Sequence, residues 1–323
     1  MAKSRIITKT DLKRMDEQLE RHLDKLFSKG CDESKKLEVT KKQEWELDPT
    51  KLKVNVNNLI AEGAYGSVYK GVYNGQQVAV KILDLSNEKR RGVLTNAFTQ
   101  EVSIWYNLHH PNIAKLTNRI PWSRNRSLEK QRSLEYGIVV EYVPGGTLRS
   151  HLLKNHIKKL PLNSVIQIAL DKIVHRDVKT SNLVMDKDGR VKIIDFGVSR
   201  IEASCPLDMT AQIGTIGYMA PEVLIGLPYD HKCDVYSFGI CLWEIYCCSI
   251  PYNGKIPSSH TSPCIYKSPR PEIPNKCPSA VANIMKQCWH ADPKERPEMK
   301  EVVLMLEAID TSQVAEKGCF GFH

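Results

Sequence analysis

His175-Arg176-Asp177-Val178-Lys179-Thr180-Ser181-Asn182 sets an acid, a base and an amide close together, and Lys192-Ile193-Ile194-Asp195-Phe196-Gly197 follows. The carboxylate of Asp177 can accept a proton from a hydroxyl group, and Lys179 can neutralise the charge of an anionic group that is being moved. Asn182 and Asp195 offer the oxygen ligands that Mg²⁺ prefers. The two segments together predict a catalytic site for an anionic substrate and a divalent metal.

Upstream of these segments, the hydrophobic pattern predicts strands at Val54–Ile60, Ser67–Tyr73 and Gln77–Leu83. The turn between the first two strands contains two glycines, which allow backbone N–H groups to come close to a phosphate. Such a turn also fits an ordinary β-hairpin and is weak evidence alone. Lys81 ends the buried run of the third strand, where a lysine is usually a solvated edge charge.

Further elements are predicted by spacing. Residues 96–108 form a predicted helix whose stripe of Phe98, Val102 and Trp105 would be buried beside Glu101. Short strands are predicted at Ala114–Leu116 and Tyr136–Tyr142, separated by a basic surface loop. A long apolar helix is predicted over Asp234–Cys248, with Asp234 placed to hold the catalytic loop, and Arg296 is expected to pair with Glu222.

Composition indicates an ordinary globular protein. The chain has 323 residues, of which 41% are hydrophobic and 26% charged, and its formal net charge is +9. The charge favours acidic partners or polyanions, but no aromatic-interleaved basic block predicts nucleic-acid binding. The sequence shows neither a secretory signal nor a membrane span. Several of the ten cysteines fall in the apolar helix, where buried reduced thiols are favoured over disulfides. Reduced thiols in turn favour a cytoplasmic location.

The first 44 residues are interpreted as an N-terminal extension. Leu12, Met15, Leu19, Leu23 and Leu26 lie three or four residues apart, which predicts an amphipathic helix over residues 10–29. This helix either packs on the back of the domain, which we favour, or docks a partner. The residues from 312 to 323 are predicted to be a disordered tail.

From Trp45 to Thr311 the chain resembles the protein kinases, and most of all the plant Raf-like MAP kinase kinase kinases of the tyrosine-kinase-like group. The segments that carry the closer likeness are Trp45-Glu46-Leu47-Asp48-Pro49, Ala97-Phe98-Thr99-Gln100-Glu101-Val102, Lys232-Cys233-Asp234-Val235-Tyr236-Ser237-Phe238-Gly239, Arg270-Pro271-Glu272-Ile273-Pro274 and Arg296-Pro297-Glu298-Met299. The resemblance implies an α+β, bilobal protein kinase fold over residues 45–311, with an antiparallel N-lobe over about 52–143 and a mainly helical C-lobe over about 144–311. It also implies ATP and Mg²⁺ as cofactors and a protein substrate, with a downstream kinase as one candidate.

The same resemblance implies roles for single residues. Asp177 would be the base, Lys179 and Lys81 would stabilise phosphate charge, and Glu101 would position Lys81. Asn182 and Asp195 would hold magnesium. The residues implied to bind ATP lie in the glycine-rich turn, the strands and the hinge, and they are Ile60, Ala61, Glu62, Gly63, Ala64, Tyr65, Gly66, Ser67, Val68, Ala79, Lys81, Glu141 and Val143.

An activation segment is implied from Asp195 to Glu222. Lys179 and Thr215 are the residues that serine/threonine-type kinases carry at these positions. Thr210 is the preferred phosphorylation site, because a phosphate there could pair with Arg176, and an unmodified loop threonine is the alternative.

A second hypothesis is a pseudokinase scaffold that binds nucleotide without transferring phosphate. Residues 166–171 run directly into Lys172, where relatives have further helix. A loss of about 11 residues would shorten that helix by about 16 Å. Prolines between Asn253 and Pro269 also disfavour a helix that relatives have. Because every catalytic side chain is present, the enzyme is favoured over the scaffold.

Overall fold

The computed structural model describes residues 48–63, 66–83, 98–99, 101–122, 135–154, 173–197, 199–201, 214–254 and 270–309. The chain divides into two compact units. Among the described residues, the first, called the sheet unit, comprises 48–144 and 194–197, and the second, called the helical unit, comprises 145–193 and 199–309.

The sheet unit is built on an antiparallel five-stranded sheet with the order β1-β2-β3-β5-β4. Its strands are β1 (Leu52–Gly63), β2 (Gly66–Tyr73), β3 (Gln76–Leu83), β4 (Leu116–Trp122) and β5 (Glu135–Glu141). Asn74 and Gly75 join β2 to β3 with φ of 48° and 81°, the left-handed conformation that suits a two-residue hairpin turn. One side of the sheet buries Leu52, Val78, Val80 and Val139.

One helix of the sheet unit, α1, is described at residues 98–99 and 101–106. Phe98, Val102 and Trp105 are all buried, as their spacing predicts. The ring of Phe196 lies 5.1 Å from that of Trp105, so the apolar stripe of α1 also holds the segment that carries Asp195. Glu101 is therefore fixed on a helix that cannot rotate without losing its packing.

The helical unit contains α2 (Leu148–Lys154), α3 (Pro221–Leu224), α4 (Lys232–Cys247), α5 (Ser279–Cys288) and α6 (Met299–Glu307). Two small ladders accompany them, β6 (Ile173–Val174) with β9 (Arg200–Ile201) and β7 (Leu183–Met185) with β8 (Val191–Ile193). Nearly every residue of α4 is buried, as expected of a helix at the centre of a core. A Cβ on Gly239 of α4 would lie 2.8 Å from the Cβ of Cys288, so a glycine there allows α4 and α5 to pack closely.

The predicted α+β class, with an antiparallel sheet in one unit and mainly helices in the other, is confirmed. One strand was predicted wrongly: Ala114–Leu116 is not the strand, because β4 begins at Leu116 and continues to Trp122. The cysteines of α4 were expected to be buried, yet Cys247 and Cys248 at its end are only half-buried, since the helix ends there. No disulfide joins the cysteines within the described ranges.

Several predictions fall outside the described residues: the N-terminal helix and tail, the glycine-rich turn at Ala64 and Tyr65, the shortened segment before Lys172, Thr210, and most of the proline-containing stretch after Asn253. Among the residues that are described, no helix has the length and apolar character that a membrane crossing requires.

Candidate active site

The sheet unit gathers three of the predicted site residues into one cluster. The Lys81 ammonium lies 3.0 Å and 3.3 Å from the two carboxylate oxygens of Glu101 and 2.9 Å from Oδ1 of Asp195. Lys81 is on β3, Glu101 is on α1, and Asp195 follows β8 in the chain. Because Glu101 is only 4% exposed, its charge depends on this lysine rather than on water.

The backbone around Asp195 is shaped for this approach. Asp195 has a φ of 68°, a left-handed conformation that a non-glycine residue rarely adopts unless its surroundings hold it. A Cβ on Gly197 would lie 3.1 Å from Oδ1 of Asp195 and 3.2 Å from Oε2 of Glu101. Glycine at this position therefore leaves room for the three charged groups to meet.

The charges of the cluster do not balance, since two carboxylates share one ammonium. Burial would lower the pKa of Lys81, but Glu101 and Asp195 outweigh burial and raise it, so the amine stays protonated. Burial raises the pKa of Glu101 to about 7, against the influence of Lys81, and the charge of Asp195 adds to the rise. The cluster can therefore accommodate another positive charge.

The residues implied to bind ATP occupy β1, β2, β3 and β5 of the same unit. Val68 lies opposite Lys81 in the β2–β3 ladder, and Ala79 lies opposite Val140 in the β3–β5 ladder. Ile60, within β1, is 48% exposed, while Val143, just after β5, is buried. The N–H of Glu141 donates to the carbonyl oxygen of Lys115 at 2.9 Å, so this N–H is committed within the fold.

The helical unit gathers the other predicted residues. Asp177 accepts hydrogen bonds from Asn182, whose Nδ2 lies 2.9 Å from both its Oδ2 and its carbonyl oxygen. The ammonium of Lys179 lies 2.6 Å from the same carboxylate oxygen, Oδ2. The side chains of Lys179 and Asp177 are 19% and 13% exposed, so both remain accessible at the surface of the loop.

Helix α4 holds this loop through hydrogen bonds from its first turn. Asp234, in its first turn, accepts hydrogen bonds from the backbone N–H groups of His175 and Arg176 at 2.6 Å and 2.8 Å. Arg176 has a φ of 65°, a strained conformation that these bonds stabilise. The expectation that Asp234 holds the loop is thereby met by geometry that the sequence spacing could not specify.

Thr215 contacts the catalytic loop directly, which the sequence did not reveal. Its hydroxyl donates to Oδ1 of Asp177 at 2.7 Å and accepts from Lys179 at 2.6 Å. The sequence marked Thr215 only through the family resemblance, since 38 residues separate it from Asp177. The contact shows that a hydroxyl group fits beside this carboxylate.

The expected pair of Arg296 and Glu222 is present. Two nitrogens of the guanidinium bond the two carboxylate oxygens at 2.6 Å and 2.8 Å, and the arginine side chain is fully buried. The pair fixes α3 to the region before α6.

Comparison with known proteins adds independent information. A family profile described as protein tyrosine and serine/threonine kinase matches residues 54–306. Serine/threonine/tyrosine-protein kinase HT1 of Arabidopsis thaliana is 33% identical over 282 residues, which cover 83% of this chain and 69% of that protein. Serine/threonine-protein kinases STY46 and STY17 of the same plant are 35% and 34% identical over 85% and 82% of this chain, which spans 47% and 46% of their lengths.

Proposed function

The chain belongs to the protein tyrosine and serine/threonine kinase family, and we propose that it transfers the γ-phosphate of ATP to serine or threonine hydroxyls of a protein substrate. The observation that carries the proposal is the environment of Asp177, whose carboxylate is bonded by Asn182, Lys179 and the hydroxyl of Thr215. A carboxylate that already receives one hydroxyl at 2.7 Å is suited to receive another from a substrate.

In the helical unit, Asp177 orients the acceptor hydroxyl and takes its proton as the oxygen attacks. Lys179 lies beside the same carboxylate and supplies positive charge where negative charge develops on the transferred group. Asn182 fixes the carboxylate through its amide, so little reorganisation is needed before reaction. Phosphoryl transfer depends mainly on this kind of positioning and electrostatic stabilisation.

In the sheet unit, Lys81 is the group that would neutralise phosphate oxygens of the nucleotide. Glu101 holds its ammonium in place from α1, and Asp195 bonds it from the other side. Val68 and Ala79 present small apolar side chains next to Lys81 and Val140, which suits an aromatic base.

The residues present fit ATP and magnesium. Two carboxylates around one half-buried ammonium leave excess negative charge, which a divalent cation at Asp195 would relieve. Asp195 and Asn182 each offer an oxygen of the type that magnesium prefers. When bound, ATP would supply the phosphoryl group and magnesium would shield its charge.

The enzyme is favoured over the scaffold hypothesis, because the relatives are named as kinases and the predicted catalytic side chains are all retained. The proposal extends to a cytoplasmic location and to a protein substrate within a signalling cascade, with a downstream kinase as one candidate.

The test is transfer of labelled γ-phosphate to a panel of serine, threonine and tyrosine peptides, with the wild-type chain beside Asp177→Asn. Asp188→Asn is the matched control, since Asp188 is an exposed aspartate in the β7–β8 turn. We expect transfer to serine and threonine peptides by the wild type and by Asp188→Asn, and loss of at least about 100-fold in Asp177→Asn. A folded wild-type chain that transfers nothing to any peptide, or an Asp177→Asn variant with full activity, would refute the proposal.

A further inference from the structure

A hydrogen-bonded group in the helical unit joins four separate segments. The guanidinium of Arg149, on α2, donates from Nε to Oε1 of Glu244 on α4 at 3.0 Å and to the hydroxyl of Thr180 at 3.3 Å. Its NH2 nitrogen donates to the hydroxyl of Tyr218 at 2.6 Å, and Tyr218 in turn donates to Oε2 of Glu244 at 2.6 Å. Both carboxylate oxygens of Glu244 are thus occupied by side chains of the protein. We call this group the Arg149 network.

The arginine shields the glutamate from solvent. The side chain of Glu244 is 2% exposed, whereas that of Arg149 is 26% exposed. Burial, together with the nearby charge of Glu244, raises the pKa of Tyr218, so the phenol keeps the proton that it donates. A molecule that approaches the network from solvent therefore meets the edge of a guanidinium and not a carboxylate.

The network lies next to the segments that face the acceptor hydroxyl. Thr180 is three residues beyond Asp177, and Tyr218 is three residues beyond Thr215, whose hydroxyl contacts Asp177. Three residues of chain span at most about 11 Å. A peptide whose hydroxyl reaches Asp177 and whose chain runs past Thr180 and Tyr218 places its neighbouring residues close to the network.

We propose that Arg149 is a specificity-determining residue that selects acceptor peptides with aspartate or glutamate close to the target hydroxyl. Glu244 holds the guanidinium in place and is itself hidden from basic peptides. The inference rests on the proposed function, because it concerns the substrate of that same site. The occupant of this surface is an acidic peptide.

The experiment compares three serine peptides that differ only in their flanking residues, which are acidic, neutral or basic. Two readings are taken: kcat/KM for phosphate transfer, and the Kd of the fluorescently labelled peptides in the absence of ATP. We expect the wild type to prefer the acidic over the basic peptide by about threefold to tenfold in both readings, the scale of one partly exposed ion pair.

The net charge of the chain also attracts acidic peptides, so variants are needed to assign the preference to Arg149. Arg149→Met should reverse the preference, because it uncovers the negative charge of Glu244. Arg190→Met removes an identical charge from an exposed position in the β7–β8 turn and should leave the preference as in the wild type. Arg149→Lys keeps the charge and should retain an acidic preference, although one ammonium cannot reproduce the three hydrogen bonds of the fork.

Arg149→Met leaves Glu244 without its ion partner and can fail to fold, so a double variant completes the set. Arg149→Met with Glu244→Gln removes both charges and leaves the net charge of the chain at +9, so it should keep only the weaker acidic preference that the net charge gives. Glu244→Gln alone should keep the acidic preference of the wild type. Three outcomes would overturn the inference. The first is the same preference in Arg149→Met as in Arg190→Met, and the second is the same preference in the double variant as in the wild type. The third is a preference of the wild type for the basic peptide. If the wild type shows the binding preference but no transfer, the proposed function fails while the inference stands.

Discussion

The charge state of Glu101 depends strongly on its surroundings, because the residue is buried against Lys81 and its pKa is raised to about 7. Glu101→Gln keeps the shape of the side chain and removes its charge. We expect kcat/KM for transfer to fall about 100-fold, since Lys81 loses the group that holds it in place. Glu272→Gln, which changes an exposed glutamate, should leave the rate unchanged.

The same variant makes a prediction about pH. A carboxyl group whose pKa is higher in the folded state favours folding when protonated, so its contribution to stability is lost as the pH rises from about 4.5 through about 7. The Gln variant has no such loss. The Tm of the wild type minus that of Glu101→Gln should therefore fall between pH 5 and pH 8, and a difference that grows with pH would contradict the raised pKa.

Arg296 is a second residue at which one substitution should have a large effect. Its buried guanidinium bonds Glu222 and the carbonyl oxygens of Lys232 and His290. Arg296→Met should lower the free energy of unfolding by about 3–5 kcal/mol, because it leaves a buried carboxylate without its partner. Adding Glu222→Met should restore part of the loss in urea denaturation, and only part, because the carbonyl oxygens stay without their donor. A double variant less stable than Arg296→Met would show that the charge of Glu222 is compensated elsewhere.

At the scale of whole elements, α6 depends on one charged cap. Glu298 and Glu301 form a reciprocal capping box at its first turn, and the carboxylate of Glu298 also contacts Lys232 at 2.7 Å and His231 at 2.8 Å. Although its partial burial works the other way, the hydrogen bonds from Lys232 and His231 hold the pKa of Glu298 below its usual value.

A carboxylate whose pKa is lower in the folded state stabilises the fold at pH values above its pKa in the unfolded state. This contribution is lost as the pH falls through the pKa of the folded state. Glu298→Gln should therefore lower the Tm by about 2 °C at pH 7. The difference from the wild type should shrink below about pH 4.5. Glu307→Gln, at the exposed end of the same helix, should have no comparable effect at either pH. A difference in Tm between the wild type and Glu298→Gln that persists unchanged at pH 3.5 would mean that the charge of Glu298 does not stabilise α6.

Elements with a strong local pattern could be predicted from the sequence, and those that depend on pairing could not. The buried stripe of α1 has a clear helical periodicity and α4 is a long apolar run, and both helices were found close to where they were expected. Strand β4 contains Asn118, Arg119 and Pro121, which do not favour strands, so its extent was underestimated. It forms because β5 pairs with it, and as an edge strand it tolerates a proline.

In the site, too, residues that share a local sequence pattern could be predicted, and residues that meet only on folding could not. Asp177, Lys179 and Asn182 lie within six residues and follow a recognisable order, so they could be named from the sequence. The partners of Arg149 are 31, 69 and 95 residues away, and no local pattern links them. Such a network requires the folded arrangement of α2, α4 and the loop that carries Thr215.

For the molecule as a whole, the question is whether the helical unit unfolds as one cooperative body. Cys233 and Cys241 on α4 and Cys288 on α5 are each at most 3% exposed. Burial raises the pKa of Cys288 to about 12 and those of the other two well above the usual value, so native thiols should react slowly. Cys247 and Cys248, half-buried at the end of α4, serve as the more exposed reference. Burial also raises their pKa values, that of Cys247 to about 12, so their faster labelling is expected from exposure alone.

Labelling with N-ethylmaleimide at increasing urea, read by mass spectrometry of the peptides, tests whether the helical unit unfolds as one cooperative body. We expect the three buried thiols to stay unmodified without urea and to become reactive at one shared midpoint, since α4 and α5 pack closely at Gly239. Cys241 matters most for function, because its Sγ lies 3.7 Å from the carbonyl oxygen of Val178 in the catalytic loop. If Cys241 reacts at lower urea than Cys233 and Cys288, the support of that loop opens before the rest of the unit, and the single cooperative body is refuted. A shared midpoint would mean that the shorter chain before Lys172 still allows the catalytic loop to be held by an intact core.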